Sequence, residues 1–163
     1  MKIVFNKNDI LWGGIILALS DGFAAYLTGN FSIIRFLGLL VIGSTLYAIE
    51  IPTFFAWLEK YTKANFTGIK RKLLKTIAVV IFFNPLWLFR HFAFIDILTG
   101  QFDLINLHLL QTASISYLIN IPFSIIGNYI IQNAISLKWR FISSSIYSAI
   151  MIIYFALSQV YFQ

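Results

Sequence analysis

Cysteine is absent from the 163 residues. That removes a disulfide framework, a thiol nucleophile and any Cys-ligated metal site. Histidine is nearly absent. His91 and His108 are the only two, too far apart for a helical i, i+4 metal pair and without a Glu-containing zinc motif around either. Charged residues make up only 11% of the chain. There is no Gly-x-Ser-x-Gly nucleophile and no carboxylate cluster for a lipid-phosphate metal site. These absences lead to the expectation of a protein that is not an enzyme and carries no metal and no cofactor. Linkers and low-complexity tracts are missing as well, so the chain reads as one domain over 1–163.

What is abundant is apolar surface. Of all residues, 60% are hydrophobic, more than a soluble domain of this size could hide. A bilayer core takes about 20 mostly apolar residues per helix. Five stretches meet that length, at about 10–29, 31–58, 76–98, 104–134 and 141–162. The expected fold class is therefore all-α, a polytopic membrane helix bundle. The second and fourth stretches are longer than a crossing needs, so they tilt, kink or run past the membrane.

The net charge of +6 is unevenly placed. Lys60, Lys63, Lys70, Arg71, Lys72 and Lys75 lie together between the second and third stretches, as in a cytoplasmic loop rather than a nucleic-acid face. Lys2 and Lys7 precede the first stretch, and Lys138 and Arg140 follow the fourth. The connections at 28–33 and 99–104 hold no Lys or Arg. This predicts a cytoplasmic N-terminus, membrane lipids as partners, no nucleic acid, and a bacterial inner (cytoplasmic) membrane location with several crossings. The first stretch is read as a retained helix rather than a cleaved leader, because it has a counterpart later in the chain.

That counterpart comes from a repeat. Leu27-Thr28-Gly29-Asn30-Phe31 returns as Leu98-Thr99-Gly100-Gln101-Phe102, and Tyr47-Ala48-Ile49-Glu50-Ile51-Pro52 returns as Tyr117-Leu118-Ile119-Asn120-Ile121-Pro122. The first pair lies 71 positions apart and the second 70. Collinear matches at one offset predict a duplicated unit. Each unit is a two-helix hairpin, about 10–58 and 76–134, and two crossings return the chain to its starting side. The expected relation is thus a parallel repeat, with a fifth, C-terminal helix outside it.

Pro52, Pro85 and Pro122 are the expected helix kinks, and each has a polar residue one or two positions before it: Glu50, Asn84 and Asn120. Gly13-Gly14 is expected to interrupt the first span at the level of Asn84-Pro85. Freed backbone groups in lipid must face protein or water, so these positions predict a polar pathway on which Glu50, Asn84 and Asn120 converge. A carboxyl within an apolar span can gain and lose a proton during transport or hold a substrate ammonium, which singles out Glu50. Asp21 and Arg90 hold near-corresponding positions in the two repeats and are expected to face each other as a pair or gate. His91, beside Arg90, is a residue type that titrates near neutral pH.

At Leu27-Thr28-Gly29, Pro52, Gly68 and Asn84-Pro85 the chain resembles the small bacterial L-alanine exporters (AlaE-type) over about residues 8–134. That family has a Gly turn after its first span and a Pro late in its second. It then has a Gly before a basic approach to the third span and a polar-Pro step within it. Its basic-acidic pair ending the second span is echoed by Glu59-Lys60, its first-span polar residues are replaced by Ser20 and Asp21, and the fifth helix is extra. A second resemblance is to the small four-helix GtrA-type proteins, in Gly13-Gly14 with Asp21 and in Asn128-Tyr129 running to Lys138-Trp139-Arg140-Phe141. The first resemblance implies a small secondary transporter exporting an L-alanine-like amino acid or similar zwitterion, and the carboxyl of Glu50 adds the expectation of proton coupling. The second implies a flippase or accessory subunit for a lipid-linked sugar intermediate. Four or five helices make a thin path for a small-molecule substrate, so a homodimer fits the first reading.

Overall fold

A computed structural model describes residues 2–4 and 6–161, with 155–161 as helix backbone only. Helix α1 spans Lys7–Leu27. A second continuous rod is built from α2 (Ile33–Ile42), a π-helical segment (Gly43–Tyr47) and α3 (Ala48–Asn65). A third joins α4 (Gly68–Ile77), a π segment (Ala78–Phe83) and α5 (Asn84–Leu98). Helix α6 spans Leu107–Asn133 and α7 spans Arg140–Tyr161. No strand occurs among the described residues. The rods Lys7–Leu27, Ile33–Asn65, Gly68–Leu98 and Leu107–Asn133 are long and apolar enough to cross a membrane. Their outward-facing Ile, Leu and Phe side chains form the broad apolar surface of a membrane protein.

The rods differ from the expected stretches mainly at the basic segment. Residues 59–65 and 68–75 are helical, leaving only Phe66 and Thr67 as the connection. Lys, Arg and Leu are strong helix formers, so the basic segment extends two rods instead of forming a loop. The fourth rod starts at Leu107 because Phe102–Leu104 forms a single 3₁₀ turn first. The expected end of the fifth helix at 162 lies outside the described residues.

Capping explains where the helices begin. Asn6, Ser32 and Asn106 accept hydrogen bonds from the backbone N–H groups of Asn8, Arg35 and His108. Two helix ends close in the same way. Thr28 Oγ1 donates to the carbonyls of Ala24 and Ala25, and Thr99 Oγ1 to those of Ile95 and Asp96. Gly29 and Gly100 both take φ +72°, where a side chain is strained. The next amides, Asn30 and Gln101, reach back to Ala25 and Asp96 at 2.8 Å each, so both turns are glycine-terminated caps.

Prolines and π segments are linked. Pro85 lacks the N–H that would bond to Ile81, and its ring crowds that carbonyl. Ile81 lies in the Ala78–Phe83 π segment, whose wider turn relieves the crowding. Pro52 faces Ala48, directly after the Gly43–Tyr47 π segment. Pro122 sits inside α6 without an interruption.

The helices form two compact units. In the first, α1 packs on α7, on α2 and on the adjoining π segment. Gly13-Gly14 does not interrupt α1. A Cβ at Gly13 would meet the Phe141 ring at 2.3 Å, and one at Gly14 would meet Ser44 Oγ at 1.9 Å and the Leu40 carbonyl at 2.8 Å. These glycines let helices approach closely, as small residues do in membranes. The second unit runs from Trp57 to Leu137. In it α4, its π segment and α5 pack antiparallel along α6.

Candidate functional site

In the second unit α6 carries a polar stripe. Asn120, Ser124, Asn128 and Gln132 recur every four residues and so share one helix face. Ser124, Asn128 and Gln132 are buried, and Asn120 is half-buried. At 1.5 Å per residue the stripe runs for about 18 Å, more than half of a hydrocarbon core of roughly 30 Å.

The facing rod meets this stripe with polar groups of its own. Asn84 Nδ2 donates to Ser124 Oγ at 2.6 Å. Asn128 Nδ2 donates to the same Oγ at 3.1 Å and to the Ser124 carbonyl at 2.9 Å. One turn further on, Lys75 Nζ donates to the Gln132 carbonyl at 2.6 Å. Lys75 also pairs with Glu59 at 3.2 Å, and Arg71 pairs with the other oxygen of the same carboxylate. Glu59 is thus shared by two bases.

Two parts of the stripe have spare hydrogen-bonding capacity. Gln132 is 0% exposed, yet among the described residues neither its Oε1 nor its Nε2 has a partner, and neither does Asn120 Oδ1. Buried amides are ordinarily paired, because leaving one unpaired costs about 1–3 kcal/mol. Such groups are able to accept from an ammonium and donate to a carboxylate.

The other residues singled out by the sequence are distributed as follows. Asn84 bonds Ser124, one turn from Asn120, rather than Asn120 itself. Asp21 is 2% exposed, and both its carboxylate oxygens are held by Arg35, from Nε at 2.7 Å and Nη2 at 2.6 Å. Asp21 and Arg35 flank the Thr28–Ser32 turn, and that local hairpin geometry brings them together. Glu50 is half-buried near the middle of the Ile33–Asn65 rod, in the first unit. His91 is buried with its ring stacked on Trp87, centroids 4.9 Å apart and planes 7° from parallel, and the neighbouring Arg90 is half-buried.

Ser124, Gln132 and Asp9 escaped the sequence reading. Asp9 is buried in the first turn of α1, and its Oδ1 has no partner among the described residues. The four-residue spacing from Asn120 through Asn128 to Gln132 would have revealed the stripe. No group of three or more His, Cys, Asp or Glu suited to a metal ion occurs among the described residues. No protein-family model, no curated protein and no solved structure matches the chain.

Proposed function

We propose that this chain is a small secondary transporter that moves a small zwitterion, an amino acid of L-alanine size, across the bacterial inner membrane with proton coupling. The observation that carries this reading is the buried stripe from Asn120 to Gln132, with unpartnered amide groups at both ends. Polar groups inside membrane helices are costly and mark substrate and ion pathways. An amide that pairs two other side chains is explained by packing alone. An amide such as Gln132, buried with no side-chain partner among the described residues, keeps hydrogen-bonding capacity for a ligand or water.

Glu50 is the carboxyl assigned to proton coupling, because it stands half-buried within an apolar rod. The basic segments put the N-terminus in the cytoplasm by the positive-inside rule. The matching Thr-Gly caps at Gly29 and Gly100 support reading the two hairpins as a parallel repeat.

The test is L-alanine efflux from proteoliposomes holding purified protein, with and without a pH gradient. Efflux that depends on the gradient supports the reading. Absence of efflux in both conditions, from protein that elutes folded and monodisperse, overturns it.

A further inference from the structure

The second unit also carries an apolar groove of about 460 Å³. Its walls include Leu73, Ile77 and Ile81 from the α4 rod and Ile121, Ile125 and Ile126 from α6, and its floor includes Val80. Most wall residues are exposed, so the groove opens outward, where a membrane helix meets lipid tails. Its volume lies in the range of built ligand sites, roughly 300–1,000 Å³.

One turn before the groove residues Leu73 and Thr76, α4 carries Lys70 and Lys72. Lys70, Leu73, Ile77 and Ile81 lie at i, i+3, i+7 and i+11, one stripe of the α4 rod. Lys72 leads through Thr76 to Val80 at four-residue steps. Both lysines are exposed, and neither has an ion-pair partner among the described residues, unlike Arg71 and Lys75, which Glu59 engages. Asn133 anchors this end to α6, its Nδ2 donating to the Lys72 carbonyl and to Thr76 Oγ1, each at 3.4 Å. An apolar groove with two lysines one helical turn beyond it, neither in an ion pair among the described residues, has the polarity of a lipid with an anionic headgroup.

We infer that this groove is a specific site for an anionic phospholipid, with an acyl chain along Leu73–Ile81 and Ile121–Ile126 and the phosphate at Lys70 and Lys72. The alternative to a specific site is a surface wetted equally by any bilayer lipid. Charge separates the two, because basic residues beside a membrane helix add binding only for anionic headgroups. The inference does not depend on the transport reading, since it needs only that the chain sits in a membrane.

Native mass spectrometry of the purified, delipidated protein titrated with phosphatidylglycerol, phosphatidylcholine or a polyprenyl phosphate tests it. Wild-type protein is expected to retain one phosphatidylglycerol at roughly thirtyfold lower concentration than phosphatidylcholine, on the scale of two lysines at a membrane surface. The pair Lys70→Gln and Lys72→Gln, both at exposed positions, should bring the two lipids to equal retention. Ile125→Trp, which fills the groove, should reduce retention of both. Equal retention by wild type overturns the proposal, as does an anionic preference that survives the lysine substitutions. Retention of the polyprenyl phosphate alone also overturns it and identifies the occupant as a carrier lipid.

Discussion

Arg35 grips Asp21 through two nearly parallel hydrogen bonds, 2.7 Å from Nε and 2.6 Å from Nη2, across the turn that joins the first two rods. The guanidinium fork matches a carboxylate in a way that a lysine cannot. Because Asp21 is buried, removing only Arg35 strands a charge away from water. Arg35→Ala is expected to destabilise the protein by about 3–5 kcal/mol, whereas the Asp21→Leu, Arg35→Leu double variant should recover much of that loss. Heat-induced loss of the monodisperse elution peak compares the variants. Equal stability of Arg35→Ala and wild type would show that the pair does not hold the hairpin.

Two glycines should respond to alanine for different reasons. At Gly14 a Cβ would sit 2.8 Å from the Leu40 carbonyl, so the α1 and α2 backbones must separate. Overpacking of this kind costs about 1–3 kcal/mol. At Gly29 nothing lies within 4 Å, and the only penalty is the φ of +72°, on the order of 1–2 kcal/mol. Adding Gly14→Leu should then worsen the first case sharply. Gly29→Leu should cost no more than Gly29→Ala, as read from thermal midpoints.

Ser124 joins Asn84 to Asn128. Ser124→Ala leaves both amides with fewer partners, and the expected loss is about 1–2 kcal/mol, the scale of interhelical hydrogen bonds in membranes. In the Asn84→Leu background the Asn84–Ser124 bond is already gone, so Ser124→Ala should cost less there. A double-mutant cycle on thermal stability measures this, and strict additivity would mean that the bond carries no coupling.

The absence of cysteine makes accessibility easy to read, because any reactive thiol is an introduced one. Cysteines at Asn120 and Asn128 are expected to react with a membrane-impermeant thiol reagent in intact vesicles, and substrate should slow the reaction. Cysteine at Ile125, on the groove face at similar depth, should stay unreactive. Equal labelling at all three positions would remove the distinction between a hydrated stripe and a lipid-facing groove.

Much of the architecture was legible in the sequence, because hydrophobic length and Thr-Gly punctuation report directly on helices and their ends. The turns at Gly29 and Gly100 fall where their motifs put them. Helix continuity was less legible. Gly13-Gly14 read as an interruption, yet in an apolar setting the backbone bonds persist and the missing side chains serve packing against Phe141 and Ser44. The Asp21–Arg35 pair follows from proximity across a five-residue turn, which repeat symmetry does not report. Ser124 was passed over because serine in a membrane helix is common packing material, and its weight appears only with Asn84 opposite. The π segments have no sequence signature beyond the proline that follows each one.

In the proposed transport a zwitterion crosses along the Asn120–Gln132 stripe, with Glu50 as the coupling carboxyl. The most direct measurement is pH-gradient-driven L-alanine flux in proteoliposomes of wild type, Gln132→Leu and Glu50→Gln at matched amounts of folded protein. Wild type is expected to show flux, and Gln132→Leu at least about a tenfold loss, equivalent to about 1.4 kcal/mol in the barrier. In Glu50→Gln the flux should no longer respond to the gradient. Wild-type rates from Gln132→Leu, together with an unchanged gradient response in Glu50→Gln, would contradict this transport.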